Sequence, residues 1–417
     1  MNVRAAWLAS HEGYVDRIED AWVLGWAWRS DQPGSPISVE VLVNGERVVT
    51  RQAELYRPDL EAAGKGDGRH AFEIQLPPQA EPHITVRVVF AGTDRDLTGS
   101  PITTTAEASA NRMAISPPGP FRSAFGGLWP DRYDARQRIE DSEACAGMSP
   151  DDAALFRTWI EQGFVVLPGA VELNLIDQLD LEVEQIWAGT SPHRYFVEFW
   201  ENDVKTIRPA GPEFKQRSVK LLDLYAHSDL ARRVMFAPAV IRFLTLLFEQ
   251  PAVAFQSLYF RWGSQQEIHQ DTAFVKVSSP MKLAACWVAL EDIRPHSGEL
   301  QYYVGSHTLE DYLFEGTHKW MPFRSDEYGS FVASLHERSQ ARGLRLEQFR
   351  PKKGDVLVWN ADLAHGGSRE VTEHVTRKSL VTHYCPFDCE PIYAGPPGLN
   401  QRRKFTDSAY YTVAVRE

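Results

Sequence analysis

The chain has 417 residues, with 44 basic against 56 acidic side chains and a formal net charge of −12. That length exceeds an ordinary single domain, and an apolar share of 43% is enough to fill well-formed cores. An acidic average surface without a Lys/Arg cluster repels phosphate backbones, which excludes nucleic acid as a partner, and no apolar run reaches the length of a membrane span. Met1–Ser10 lacks the apolar stretch of a signal peptide. Cys145, Cys286, Cys385 and Cys389 do not make a disulfide framework and read as reduced thiols of a cytoplasmic protein.

The first hundred residues carry short strands separated by turn signals. Trp22-Val-Leu-Gly-Trp-Ala-Trp28 is aromatic and strand-like, and Ile37–Val43 alternates cleanly. Asn44-Gly45 then predicts a hairpin turn into Arg47–Thr50. Phe72, Ile74 and Leu76 alternate again, as do Ile84, Val86, Val88 and Phe90. This pattern predicts a small β-sandwich over 1–102. Trp22, Trp26 and Trp28 share one strand face; filling the sandwich core is favoured over stacking on sugar rings. Arg57 and Asp59, beside Gly66-Asp-Gly68, read as a salt-bridged loop scaffold rather than a polar site.

Residues 103–148 read as a linker, rich in proline and small polar residues around Ser116-Pro-Pro-Gly-Pro120. Within it, Phe125–Arg132 is too aromatic for a free tether and is expected to cover part of the next domain. That domain, 149–417, opens with a helical pattern in which Leu175, Ile176, Leu179, Val183 and Ile186 share a face. A second helical stretch runs from Leu230 to Phe248, interrupted near Pro238. Between them, His193–Phe196 and Lys205–Lys220 form a basic, irregular segment. It is either a lid over a substrate mouth or a solvated loop.

Phe255–Trp262 reads as a strand, and Gly263–Gln266 breaks it before His269-Gln-Asp271. In extended chain, residues i and i+2 point to one side, so His269 and Asp271 can grip one ion while Gln270 points away. A third ligand must come from another strand. Lys353-Gly-Asp355 is a turn, and Val356–Trp359 delivers the chain to His365. Two imidazoles and one carboxylate on one face of a metal leave three positions open, the ligand set of non-haem Fe(II) oxygenases. His296, His307 and His318 have no carboxylate two residues away and stay outside the triad.

If the cosubstrate is 2-oxoglutarate, its keto-acid end chelates the iron and its far carboxylate needs a buried cation. In Thr376–Tyr384, a strand by its pattern, Arg377, Ser379, Val381 and His383 share one face. Lys378 falls on the other. Arg369 lies too close to His365 to reach the far end, and His374 is a poor anchor when neutral. Arg377 remains, with a planar fork suited to a carboxylate.

These residues resemble the phytanoyl-CoA dioxygenase family of Fe(II)/2-oxoglutarate-dependent oxygenases. The resemblance spans about 150–390. It runs through Trp159–Ala170, His269-Gln-Asp271, Trp287–Asp292, Ser297-Gly-Glu-Leu300, Val304-Gly-Ser-His307, Gly354-Asp355, His365-Gly-Gly and Arg377. It implies a mainly β protein with flanking helices, a double-stranded β-helix (jelly-roll) barrel. It also implies that His269, Asp271 and His365 hold Fe(II), that Arg377 anchors 2-oxoglutarate, and that Trp287 and Gln256 contact the cosubstrate. Gly367 departs from the family, which often has a hydroxyl there. The family's halogenases lack the carboxylate of Asp271; its presence favours hydroxylation. The expected enzyme takes dioxygen and a small or carrier-linked molecule and releases succinate and CO2. A non-catalytic metal-binding barrel and a non-redox isomerase are the alternatives. The N-terminal sandwich resembles an accessory module of bacterial proteins that also carry glycosyltransferase or methyltransferase domains, which hints at a glycan-linked substrate.

Overall fold

A computed structural model describes residues 10–414, apart from 20–21, 58–59, 62, 77–82, 106–120, 145–146, 202–203, 323–324, 370–371, 373 and 393–399. Asp59, Cys145 and most of the proline-rich part of the expected linker lie outside the described residues. Contacts divide the chain into two compact units, one of residues 1–113 with 322–325 and one of 114–321 with 326–417.

The first unit has strands β1 (His11–Glu19), β2 (Trp22–Arg29), β3 (Ile37–Val43), β4 (Glu46–Ala53), β5 (Leu55–Tyr56), β6 (Arg69–Gln75), β7 (His83–Phe90) and β8 (Ile102–Thr105). They form two antiparallel sheets, β1-β2-β6-β5 and β4-β3-β7-β8. The alternation read in the sequence packs them face to face: Val15, Val23, Val39, Val41, Phe72, Ile74 and Val86 share one core. Asn44 and Gly45 both take positive φ, 51° and 88°, as a tight hairpin turn requires.

The tryptophans do not fill that core. On β2 it is Val23, Gly25 and Ala27 that face inward, and Trp22 and Trp26 are only half-buried on the opposite face. The reason is contact with the neighbouring strands β1 and β6. A Cβ on Gly25 would lie 2.6 Å from the Phe72 ring and 2.4 Å from Tyr14 O, so the inner face has room for backbone but not for indoles. Lys65 instead lies over Trp28, 4.8 Å from the ring centre.

The second unit contains β9 (Phe164–Leu167), β10 (Phe196–Glu201), β11 (Val204–Pro209), β12 (Lys220–Leu222), β13 (Ala252–Phe260), β14 (Ala284–Ala289) and β15 (Leu300–Tyr303). It continues with β16 (Leu346–Phe349), β17 (Val356–Asn360), β18 (His365–Gly367), β19 (Ser379–Pro386), β20 (Asn400–Thr406) and β21 (Ala409–Ala414). The large sheet runs β11-β10-β12-β13-β19-β14-β17-β9, and the small one β16-β15-β18. An isolated bridge between His269 and His365 extends the small sheet by one more segment. The inner order is therefore β13-β19-β14-β17 on one side and His269-β18-β15-β16 on the other, the alternation of a double-stranded β-helix. Phe260, Trp287, Leu357 and Trp359 from the large sheet meet Leu300, Tyr302 and Phe349 from the small one in a common core.

Helices cover the outside of the large sheet, except the last of them, which packs with Ile268, Tyr303 and Ala364 on the side of the small one. They are α1 (Ala135–Ala144), α2 (Pro150–Gln162), α3 (Leu173–Trp187), α4 (Asp229–Met235), α5 (Pro238–Phe248) and α6 (Tyr328–Ala341). The buried face of α3 is Leu175, Ile176, Leu179, Val183 and Ile186, the stripe read from the sequence. Pro238 opens α5, where its missing N–H costs nothing. Leu128, Trp129, Ala135 and Ile139, from the stretch before α2, belong to the same apolar core as α3 and α5. The basic segment after α3 is regular only in part. Residues 205–209 belong to the β10–β11 hairpin, with Lys205 on Glu198 at 2.7 Å and Arg208 on Glu201 at 2.8 Å, while 193–195 and 210–219 lie outside strands. The hairpin's charges are matched across the strands, as cross-strand pairs favour. Among the described residues no helix is long and apolar enough to cross a membrane.

Candidate active site

The triad assembles by pairing of two short segments. His269 N donates to His365 O at 2.8 Å, and His365 N returns the bond to His269 O at 2.9 Å. Gln270 is extended, and its side chain points away to donate to Asp362 O at 2.8 Å. Asp271 then opens a 3-10 turn rather than continuing a strand, because its partner β18 is only three residues long. The result still places both groups on one side. Asp271 Oδ1 lies 3.9 Å from His269 Nε2 and 3.7 Å from His365 Nε2. His269, Asp271 and His365 are all buried and form the group able to hold a metal among the described residues.

The donor set fits a divalent transition metal. Nδ1 of His269 donates to Glu267 O at 2.8 Å, and Nδ1 of His365 donates to Leu363 O at 2.8 Å. A carbonyl can only accept, so each ring is held with Nε2 as the unprotonated nitrogen on the side of Asp271; in His269 it accepts from Gln266 Nε2 at 3.2 Å. Burial pushes the His269 imidazole down to about 3, with His365 adding to the effect, so it is neutral and ligating at neutral pH. Burial pushes Asp271 upward, but the imidazoles of His365 and His383 outweigh it and hold the carboxyl below its ordinary range.

The turn is fastened from behind. Lys319 Nζ, 2% exposed, reaches Asp362 Oδ2 and Asp311 Oδ1, both at 2.6 Å. Thr272 Oγ1 donates to Asp362 Oδ1 at 2.5 Å, and Asp362 N donates to Asn360 Oδ1 at 2.9 Å. This buried network ties residues 270–272, which carry Asp271, to 360–362, which lead to His365. Its members span long sequence separations, so no local motif announced it.

Arg377 is the other buried charge. It is 3% exposed and lines the same cavity as His269, Asp271, His365, Trp287 and His383. Its guanidinium carbon lies 5.4 Å from the Trp287 ring centre and 5.5 Å from that of Phe260. Nη1 donates to Ser379 Oγ at 3.0 Å, while Nε has no partner. Among the described residues no carboxylate lies within ion-pair distance of it. Burial pushes it down to about 10, which leaves it charged at neutral pH. A buried, unpaired cation is expensive unless an anion joins it, so the cavity is suited to a carboxylate. Lys378 points the opposite way, to Asp180 on α3 at 2.7 Å. Gln256 is half-buried on the strand that supplies Leu258 and Phe260 to the cavity, but is not itself among the lining residues.

Gly367 is explained by the chain that crosses it. A Cβ there would come within 2.6 Å of Ser264 Oγ and 2.7 Å of Gln265 N. Two further residues meet Asp271 without having been assigned a role from the sequence. Trp359 Nε1 donates to Asp271 Oδ2 at 2.8 Å. His383 Nε2 comes within 3.4 Å of Oδ1 from the strand face shared with Arg377. Of the histidines set aside, His307 is half-buried, with its Nδ1 enclosed against Gly163. A larger open groove of about 710 Å³ lies at Asp152, Arg242 and Phe405 and holds none of these residues.

A jelly roll whose inner strands bring together two histidines, one aspartate and a buried arginine defines the class, that of Fe(II)/2-oxoglutarate-dependent oxygenases. The family model described as phytanoyl-CoA dioxygenase (PhyH) matches residues 159–379, more than half of the chain. The chain belongs to the phytanoyl-CoA dioxygenase family. It is 28% identical over 251 residues to the phytanoyl-CoA dioxygenase domain-containing protein 1 homolog of Dictyostelium discoideum, covering 57% of this chain and 83% of that one. It is 30% identical over 164 residues to phytanoyl-CoA dioxygenase domain-containing protein 1 of Mus musculus, covering 38% of this chain and 54% of that one. Among solved structures it is similar to the non-heme alpha ketoglutarate dependent epimerase SnoN from nogalamycin biosynthesis (15% identity, TM-score 0.44, 63% of this chain and 98% of that one). It is also similar to EctD from S. alaskensis with 2-oxoglutarate and 5-hydroxyectoine (16% identity, TM-score 0.42, 60% and 82%).

Proposed function

We propose that this protein is an Fe(II)- and 2-oxoglutarate-dependent hydroxylase of a small or carrier-linked metabolite. His269 Nε2, Asp271 Oδ1 and His365 Nε2 would bind the iron. Arg377 would pair with the far carboxylate of 2-oxoglutarate, with Trp287 walling the pocket. The bound iron and cosubstrate supply oxidising power: dioxygen and 2-oxoglutarate become succinate and CO2, and one oxygen atom enters the substrate. The protein's part is to fix the ligands, neutralise the cosubstrate and keep the cavity dry. In this reading residues 1–102 are an accessory sandwich, 103–148 a connection and 149–417 the oxygenase domain of a cytoplasmic enzyme.

The observation that carries the proposal is the buried Arg377, unpaired with any described carboxylate, in the same cavity as the triad. Anaerobic addition of Fe(II) and then 2-oxoglutarate should give the visible charge-transfer band of the chelate. Admitting oxygen with candidate substrates should then release succinate. A protein that takes up stoichiometric Fe(II) yet never shows the band refutes the cosubstrate assignment.

A further inference from the structure

We propose that Trp359 is a positioning residue that restricts Asp271 to binding metal through one oxygen. The inference rests on the triad reading above and goes beyond it. A carboxylate can bind a metal through one oxygen or both. With both, it would use a position that the cosubstrate or dioxygen needs, since only three remain open. Something must therefore occupy the second oxygen.

The two oxygens of Asp271 have different surroundings. Oδ1 faces Nε2 of His269 and of His365, at 3.9 and 3.7 Å. Oδ2 accepts the indole N–H of Trp359 at 2.8 Å. Indole nitrogen is a donor only, so this bond has one direction. Trp359 is 2% exposed and Asp271 is 4% exposed, so water does not compete. A hydrogen bond to a charged acceptor in a dry site is among the stronger ones.

The indole is itself held firmly. Trp359 pairs with Ala285 of β14 and Phe164 of β9, in the interior of the large sheet. Its ring lies 4.9 Å from that of His365. One side chain thus touches two of the three triad members, packing on one and hydrogen-bonding the other. Phenylalanine keeps an aromatic ring in the same place, although it is smaller than indole. It also lacks the N–H, which is the part the proposal concerns.

Co(II), whose visible bands report ligand number, serves as the probe in the full-length protein. Trp359→Phe should still take up one Co(II). Its bands should shift from those of the wild type as Oδ2 joins the metal. Its affinity for 2-oxoglutarate on the Co(II) protein should fall at least tenfold by calorimetry. Bands that superimpose on the wild type's, with 2-oxoglutarate affinity within twofold, overturn the proposal. A wild-type protein that binds no Co(II), or binds it equally after Asp271→Ala, refutes the triad reading instead, and this inference falls with it. Should Trp359→Phe not fold, the hydrogen bond can be read without it. In protein labelled with ¹⁵N at tryptophan, Asp271→Ala should move one indole N–H resonance and speed its exchange. Indole resonances that all stay unchanged overturn the proposal.

Discussion

Arg377 and Lys378 are adjacent in the chain and point to opposite sides of the large sheet. Arg377 lies in the cavity beside Trp287, while Lys378 Nζ reaches Asp180 on α3 at 2.7 Å. The pleat separates them: one basic group is buried without an anion, and the other is matched at the rim.

Replacing the two should therefore have unequal effects. Losing the partner of a buried carboxylate costs roughly 2–5 kcal/mol, and every 1.4 kcal/mol or so is about tenfold in affinity. Arg377→Leu should raise the 2-oxoglutarate dissociation constant at least tenfold and leave Fe(II) binding near normal. Lys378→Leu should change it little, since its partner Asp180 lies on α3, outside the cavity. Anaerobic titration of both variants, following the chelate band, decides between them. The reverse order would mean the wrong residue has been assigned.

Asp271→Ala removes the anionic ligand of the triad. Fe(II) affinity should drop by at least about tenfold, with succinate release lost. Equilibrium binding of Fe(II) or Co(II) measures the first and product analysis the second. Undiminished turnover of a confirmed substrate would sink the assignment.

Acid should destabilise the metal-free protein at two imidazoles, His269, which is buried, and His307, whose Nδ1 is enclosed. Burial lowers His307 from 6.5 to about 4 and His269 to about 3. Between those values and 6.5 the unfolded chain binds protons that the folded chain does not, so stability falls as pH falls. Each group contributes a slope of about 1.4 kcal/mol per pH unit. Asp131 acts in the opposite sense, since burial raises it to about 7 and favours the fold at lower pH. Urea midpoints measured from pH 7 to pH 4.5 should decline, and His307→Gln should flatten the decline. An unchanged slope in that variant would mean His307 titrates normally.

Gly367→Ser should do harm, although it restores a hydroxyl common in the family. The added Cβ meets Ser264 Oγ and the backbone of Gln265, and backbone cannot move aside cheaply. The variant should melt several degrees lower and bind 2-oxoglutarate no more tightly. Tighter binding without loss of stability would show that the 264–266 segment is adaptable.

A fragment beginning near residue 110 should fold and retain metal binding, because each unit has its own apolar core. Starting at 149 instead should fail, since Leu128, Trp129 and Ile139 would be lost from the larger core. Circular dichroism and Co(II) uptake on both fragments test this. A soluble, metal-binding 149–417 would show those side chains to be dispensable.

What was legible in the sequence was whatever repeats locally. The stripe on α3, the Asn44-Gly45 hairpin, the alternation of the sandwich strands and the His269-Gln-Asp271 triplet all act within a few residues, where chain geometry fixes which side chains face together. The side of Arg377 followed from the same rule. Tertiary structure alone decided the rest. Trp22 and Trp26 of β2 stay half-buried outside the core because Phe72, far along the chain, fills the space over Gly25. Trp359, His383 and Lys319 reach the aspartates they hold through strand pairing and packing over long sequence separations. No local period encodes such contacts, because they exist only once both sheets have closed on a shared core.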